Sequence, residues 1–356
     1  MKIAIIGHLK FPIAKPFSGG LEMFTHALVS RLSDRGHDVT LFASGDSDPD
    51  LPVTPILPKS TIGESETLFG LQDHAFIEAR EDEAYETLMA GLLDSSFDVI
   101  HNNSISPIPL QFAPLIGHRM VTTLHVPVLP RLREMIRNRS AATCGRFINI
   151  SRSNARVWQH LLPQQQIVHN GVDTSFWKSC DQPSNGRAVW FGRILPDKGT
   201  HYAIEAAHRA GLSIDVVGPI ANEEYFQNHV RTKFSSDDRY LGHQDHKDLC
   251  QIIGEASVAI VTPCWSEPFG LVVPEALACG TPVAAFDRGA MAELIPSSVG
   301  RVVTPGNVTA LANAIRECLD LRGEDCRRHA EDCFSIESMI DRYEHAYDAA
   351  PLRAVA

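Results

Sequence analysis

The 356-residue sequence contains no stretch of eighteen apolar residues and no low-complexity tract, which argues against a membrane-spanning helix and against long disordered regions. Lys2 is followed by only four apolar residues before Gly7. That is too short for a secretory leader, so a cytoplasmic location, at most peripheral to a membrane, is expected. The eight cysteines include no CxxC pair and no zinc-holding spacing, leaving them as reduced, mostly packed thiols. Lysine and arginine total 32 against 43 acids, a formal charge of -11, so there is no basic field for wholesale nucleic-acid binding.

What is present is the composition of a folded enzyme, 44% hydrophobic, in a chain long enough for about two domains. Short runs rich in Val and Ile alternate with segments of helical period, the pattern of strand and crossover helix that builds parallel sheets. One α/β series starts with a strand over Lys2 to Ile6 and a helix from Leu21 to Asp34, and continues through strands at Asp38 to Ala43, Phe97 to His101, Met120 to Leu124 and Phe147 to Ile150. The polar segment Ser179 to Arg187 reads as a linker. A second series follows, with strands at Ala188 to Phe191, Ser213 to Val217, Val258 to Val261 and Thr281 to Ala285. The expected domains are therefore 1–175 and 186–335. Pattern alone leaves open whether the last helix closes the second domain or packs back on the first.

The most informative stretch runs from Trp265 through Glu267, Pro268, Phe269, Gly270 and Glu275 to the Ala278-Cys-Gly-Thr-Pro-Val283 segment. Its two glutamates bracket a strand-to-helix junction, and in an open parallel sheet the carboxyl ends of strands face the ligand crevice. The free N–H groups of Phe269, Gly270, Leu271 and Val272 at the expected helix start suit a diphosphate. Glu275, one turn on, suits a vicinal diol such as a ribose. Either acid alone would be explained by the preference of carboxylates for a helix N-terminus, worth roughly 0.3 to 1 kcal/mol. Arg193 and Lys198, at the tip of the first strand of the second series and the start of the next helix, can converge on a departing phosphate and stabilise the charge that develops there.

Signals in the first half are weaker. Gly19 and Gly20 close the loop after the first strand and permit close backbone approach to a phosphate or sugar, although a tight turn explains them equally well. They do not make a three-glycine dinucleotide fingerprint, which counts against hydride transfer. His125 directly follows the strand Met120 to Leu124, which raises its standing above that of a lone structural histidine. The Asn170-Gly-Val-Asp173 segment, the Asp46-Ser-Asp48 triplet and the His243/His246 pair read as turns or solvated side chains, and no metal site is expected. Seven arginines between Arg131 and Arg156 face one acid, Glu134. They read as a solvated face or as a patch for an anionic acceptor or a lipid surface.

Taken together, Gly192-Arg193 to Lys198-Gly199, the Glu267 to Glu275 element, Gly19-Gly20, His125 and Asn170 to Asp173 resemble the family 4 glycosyltransferases. The resemblance spans most of the chain and implies an α/β fold of GT-B architecture, with two Rossmann-like domains facing a cleft and the final helix, 336–356, crossing back to the first. It implies a retaining, metal-independent hexosyl transfer from a nucleotide-diphosphate sugar to a hydroxyl acceptor, with a UDP-hexose the leading donor and GDP-mannose the next. On that pattern Glu275 binds the ribose and Glu267, with the Phe269 and Gly270 amides, the transferred sugar. Arg193 and Lys198 grip the diphosphate, Gly20 approaches the same phosphates, and His125 contacts the sugar near its 6-hydroxyl. The segment Leu51 to Glu83, where such enzymes build much of the acceptor site, matches no motif and leaves the acceptor open. Two other readings remain: an epimerase or phosphorylase of the same architecture, and a catalytically silent nucleotide-sugar-binding module.

Overall fold

The computed structural model describes residues 1–138, 144–178 and 184–348. Arg139, Cys180, most of the expected linker and the final residues from 349 lie outside them. Contacts divide the chain into two compact units. The first comprises Met1–Ile150, Asn154–Val168 and the described residues after Met339; the second comprises Ser151–Ser153 and His169–Met339.

The first unit holds seven strands, β1 (Lys2–Ile6), β2 (Asp38–Ser44), β3 (Val53–Leu57), β4 (Val99–Asn102), β5 (Met120–Leu124), β6 (Arg146–Asn149) and β7 (Gln166–Ile167). All pair in parallel in the order β3-β2-β1-β4-β5-β6-β7. The second unit holds β8 (Ala188–Phe191), β9 (Ile214–Val217), β10 (Arg239–Gly242), β11 (Val258–Val261), β12 (Val283–Phe286) and β13 (Gly300–Val303), again parallel, in the order β10-β9-β8-β11-β12-β13. Helices cover both faces of such sheets, so their inner strands are buried along their whole length rather than at alternate residues. Every residue of β4, β5, β8, β9 and β12 is buried.

Both sheets reverse their winding at one place, between β1 and β4 in the first and between β8 and β11 in the second. At such a reversal the crossover helices leave to opposite faces, which opens a crevice beyond the carboxyl ends of the two central strands.

The unit boundary falls after Val168 rather than at 175. Residues 169–175 join the second unit because the Val172 amide donates to the Phe334 carbonyl at 2.8 Å, and the Val172 carbonyl accepts from Ile336 N at 2.9 Å. The last helix, Ile336–Asp348, starts in the second unit and ends in the first. In the first unit Tyr347 hydroxyl lies 2.8 Å from His101 Nδ1, and Glu344 takes Arg35 at 2.6 Å and His37 at 2.7 Å.

Candidate active site

In the second unit the loops beyond β8 and β11 bring Arg193, Asp197, Lys198 and Glu267 within electrostatic reach of one another, although Glu267 lies 74 positions after Arg193 in sequence. Lys198 closes a single helical turn after β8, and its Nζ lies 2.5 Å from Glu267 Oε2. Trp265 Nε1 donates to the same oxygen at 3.0 Å, and the ammonium sits 5.4 Å from the Trp265 ring centre. The two loops are laced together: Thr262 Oγ1 donates toward the Lys198 and Gly199 carbonyls, both at 3.0 Å, and Cys264 N donates to the Asp197 carbonyl at 2.7 Å. Burial lifts the Asp197 carboxyl above its ordinary range, with Lys198 opposing, and its Oδ1 is buried without a partner. Arg193 is exposed, and among the described residues its guanidinium enters no ion pair or hydrogen bond.

Glu267 is fixed from behind. Its carbonyl accepts from Ala290 N at 2.9 Å, and a Cβ on Gly289, which has φ +67°, would lie 2.0 Å from that oxygen. Only glycine is tolerated there.

After Glu267, Gly270 turns through φ +90° and Val273 N donates back to its carbonyl at 3.0 Å. The helix itself is Val272–Ala278. Phe269, Gly270 and Leu271 therefore lie in the entering turn, a correction to the reading that all four amides begin the helix. The amides of Phe269 to Val272 nonetheless find no acceptor among the described residues, and successive free N–H groups in a turn form an anion-binding concavity. The Phe269 side chain is buried, with ring contacts to His169 and Phe334.

Glu275, in the next turn, is 6% exposed. Its carboxyl has no hydrogen-bond partner among the described residues, and burial pushes it up to about 8 from an ordinary 4.5. A buried carboxyl left without donors costs free energy in the empty protein. A ligand that supplied hydroxyls would offset that cost.

The first unit carries the remaining expected residues as a separate group. Gly19 precedes the helix Gly20–Asp34, whose buried Glu22 lies 2.7 Å from His8 Nε2 just beyond β1. His125, beyond β5, donates through Nε2 to Asn103 Oδ1 at 2.8 Å and meets the Phe24 ring edge-on at 4.6 Å. Desolvation, helped by His101 and His8, holds the His125 imidazole down to about 3, so it is neutral at ordinary pH. His8 and Asn103 were not singled out from the sequence; polar residues at the tips of β1 and β4 were the available signal.

Glu293 was missed as well. Its carboxylate accepts the Arg152 and Ser153 amides at 2.9 and 3.0 Å and pairs with His169 at 2.7 Å, while Ser151 Oγ donates to the Pro268 carbonyl at 2.6 Å. Burial opposes ionisation of Glu293, but His169 and these amides together hold it below the usual carboxylate range.

Other expectations resolve locally. Asp46 accepts from Ser60, and Asp48 from His26 and the Asp50 amide, so the triplet is a hydrogen-bonded turn. Among the described residues no three His, Cys, Asp or Glu side chains group as a metal site. In the arginine-rich segment Arg131 pairs with Asp82 and Glu78, Arg146 donates to carbonyls of the last helix, and Arg133, Arg137, Arg152 and Arg156 are exposed. Among the described residues no helix is long and apolar enough to cross a membrane.

Two family models match the chain in succession, Glycosyltransferase Family 4 over residues 18–176 and Glycosyl transferases group 1 over residues 178–332. The chain is 26% identical to the glycogen synthase of Mycobacterium tuberculosis, over 85% of this chain and 83% of that protein. It is also 26% identical to the MMP alpha-(1->4)-mannosyltransferase of Mycolicibacterium hassiacum over the whole of both. Among solved structures, Anabaena Alr3699/HepE in complex with UDP and glucose superposes with a TM-score of 0.72 at 19% identity, covering 98% of this chain and 100% of that one. The fold is that of GT-B glycosyltransferases.

Proposed function

Since this chain belongs to the family 4 glycosyltransferases, we propose that it moves a hexosyl group, with retention of anomeric configuration and without a metal ion, from a nucleotide-diphosphate sugar to a hydroxyl acceptor. The observation that carries this reading is the pairing, on one turn and helix, of an unpartnered buried carboxyl at Glu275 with four unclaimed amides at Phe269 to Val272. A diol acceptor set one turn from an anion seat matches the ribose and diphosphate of a nucleotide.

Each residue then has a task. The amides, Arg193 and Lys198 take the diphosphate and offset the charge that grows on it as its bond to the sugar anomeric carbon breaks. Glu267, held by Lys198 and Trp265, receives sugar hydroxyls. Glu275 receives the ribose diol. Gly20 and His125 take the family's assignments to the phosphates and the sugar; a neutral His125 can hydrogen-bond a hydroxyl without adding charge. The acceptor hydroxyl attacks from the face that the diphosphate leaves. A UDP-hexose is the first donor to test, in keeping with the UDP and glucose held by HepE, and GDP-mannose the second, in keeping with the mannosyltransferase relative.

A thermal-shift screen across UDP- and GDP-sugars tests donor binding, because a ligand of the native state raises Tm with dose. Proton NMR of the product made from the donor that binds then reads its anomeric configuration. No shift with any nucleotide sugar would remove the reading, an inverted product would remove retention, and release of a free sugar phosphate or an epimer without acceptor would favour the phosphorylase or epimerase.

A further inference from the structure

Behind the helix that carries Glu275 lies a pair of cysteines to which the transfer reaction gives no task. Cys250 belongs to the helix His246–Glu255, and Cys279 ends the helix Val272–Ala278. Their sulfurs are 3.8 Å apart, which is contact distance without a bond. The two sites differ in access. Cys279 is 2% exposed, whereas Cys250 is partly open to solvent. An open hollow of about 860 Å³ lined by Cys279, Gly280, Ser257, Leu319, Arg327 and Arg328 lies on the Cys279 side of the pair.

We propose that Cys250 and Cys279 form a peroxide-reactive dithiol, in which Cys250 is the attacking thiol and Cys279 the resolving one, and that their disulfide weakens nucleotide binding through the Glu275 helix.

The chemistry is complete with hydrogen peroxide as the oxidant. The Cys250 thiolate attacks one peroxide oxygen and the O–O bond breaks. Hydroxide leaves and takes a proton as water, and Cys250 is left as a sulfenic acid. The Cys279 sulfur then attacks the Cys250 sulfur, its proton leaves with the sulfenic oxygen as a second water, and a disulfide remains. Two electrons pass from the two sulfurs to the peroxide.

The surroundings assign the roles. In its thiol form Cys250 points at the Phe176 carbonyl, 3.5 Å away, and the Lys178 carbonyl, 3.7 Å away. The Cys279 thiol, donating to Cys250, is the main influence that lowers Cys250, against burial, with the Lys178 and Arg327 charges assisting. The same bond and burial raise Cys279. Cys250, the more open of the two residues, is thus the better thiolate, and Cys279 keeps its proton until attack.

Closing the bond has a mechanical consequence. A disulfide needs about 2.05 Å between sulfurs, so the gap must close from 3.8 Å, and whatever part side-chain rotation does not supply falls on the two helices. Cys279 N donates to the Glu275 carbonyl at 3.2 Å, and Arg327 Nη1 donates to the Ala278 carbonyl at 2.7 Å. Strain at Cys279 therefore reaches the turn that bears Glu275. This last link rests on the assignment of Glu275 to the donor ribose; the thiol chemistry does not.

The test treats the whole reduced protein with hydrogen peroxide and maps its cysteines by non-reducing peptide mass spectrometry. The expected product is a Cys250–Cys279 linked peptide, formed ahead of oxidation at Cys264 and reversed by dithiothreitol. In Cys279→Ser, Cys250 should be trapped as a sulfenic acid by dimedone; in Cys250→Ser, no linked peptide should form. Absence of the link in the wild type, a link from Cys250 to another cysteine, or slower labelling of Cys250 than of Cys264 would overturn the proposal. Oxidised wild type should bind UDP or GDP about tenfold more weakly, on the order of 1.4 kcal/mol, while peroxide-treated Cys250→Ser binds as before. A disulfide without this loss would overturn the coupling alone. A reduced protein that binds neither nucleotide would instead count against the donor-site reading and leave the thiol chemistry to the peptide map.

Discussion

Glu275 offers the sharpest quantitative test, because its carboxyl is buried, unpartnered and raised from 4.5 to about 8. At about 1.4 kcal/mol per tenfold change in proton affinity, that rise corresponds to roughly 5 kcal/mol, an upper bound on the stability lost when the group must ionise. Below pH 4.5 the carboxyl is protonated in the folded and unfolded chain alike and costs nothing. As pH climbs from 4.5 to 8 the unfolded chain releases this proton first, so stability falls by up to about 1.4 kcal/mol per pH unit and then levels off above 8. Glu275→Gln is neutral throughout and removes the effect. Urea unfolding of both proteins at pH 5, 6, 7 and 8 should show the variant gaining on the wild type with rising pH, and parallel curves within about 0.5 kcal/mol would refute the reasoning. The same group makes donor binding proton-linked. Near pH 7 the free carboxyl is about nine-tenths protonated, and ribose hydroxyls favour its ionised form, so binding should release close to one proton per donor in the wild type and none through this group in Glu275→Gln. Titration calorimetry in buffers of different ionisation enthalpy reads that number.

Three further outcomes follow from the same geometry. Lys198→Ala should lower kcat by roughly a hundredfold or more through lost charge stabilisation of the leaving group, while its partly exposed pair with Glu267 contributes too little for Tm to move by more than a few degrees; an unchanged kcat would contradict its role. Gly289→Ala should cost about 3 kcal/mol or more, because the new Cβ would meet the Glu267 carbonyl at 2.0 Å in a left-handed conformation, and native-like urea stability would contradict it. His101 and His125, each held down to about 3, are neutral in the fold, and the unfolded chain takes up their protons first as pH falls below 6.5. Stability should therefore decline from pH 6.5 toward 3, and His125→Gln should flatten part of that decline in acid-unfolding curves; an unaltered curve would contradict it.

The sequence was most legible where burial is complete. Central strands such as β8 and β12 announce themselves as continuous apolar runs because both faces are covered. The strands passed over, β3, β7, β10 and β13, lie at or next to sheet edges and are partly exposed, and Pro55 sits inside β3 where only an edge strand tolerates it. Arg193, Lys198, Glu267 and Glu275 could be nominated as candidates because each follows a recognisable strand end or helix start. Glu293 and Asn103 could not. Their partners lie 124 to 141 residues away for Glu293 and 22 away for Asn103, and no local pattern encodes which strand tips a parallel sheet sets side by side. That a helix begins at Val272 rather than at Phe269 turns on the positive φ of Gly270, a choice that composition leaves open.

The most direct measurement is a crystal structure of the protein soaked with UDP, and in parallel with GDP. The account predicts the diphosphate on the Phe269 to Val272 amides beside Arg193 and Lys198, with both ribose hydroxyls on Glu275. A nucleotide bound elsewhere, with Glu275 still buried and unpartnered, would contradict it.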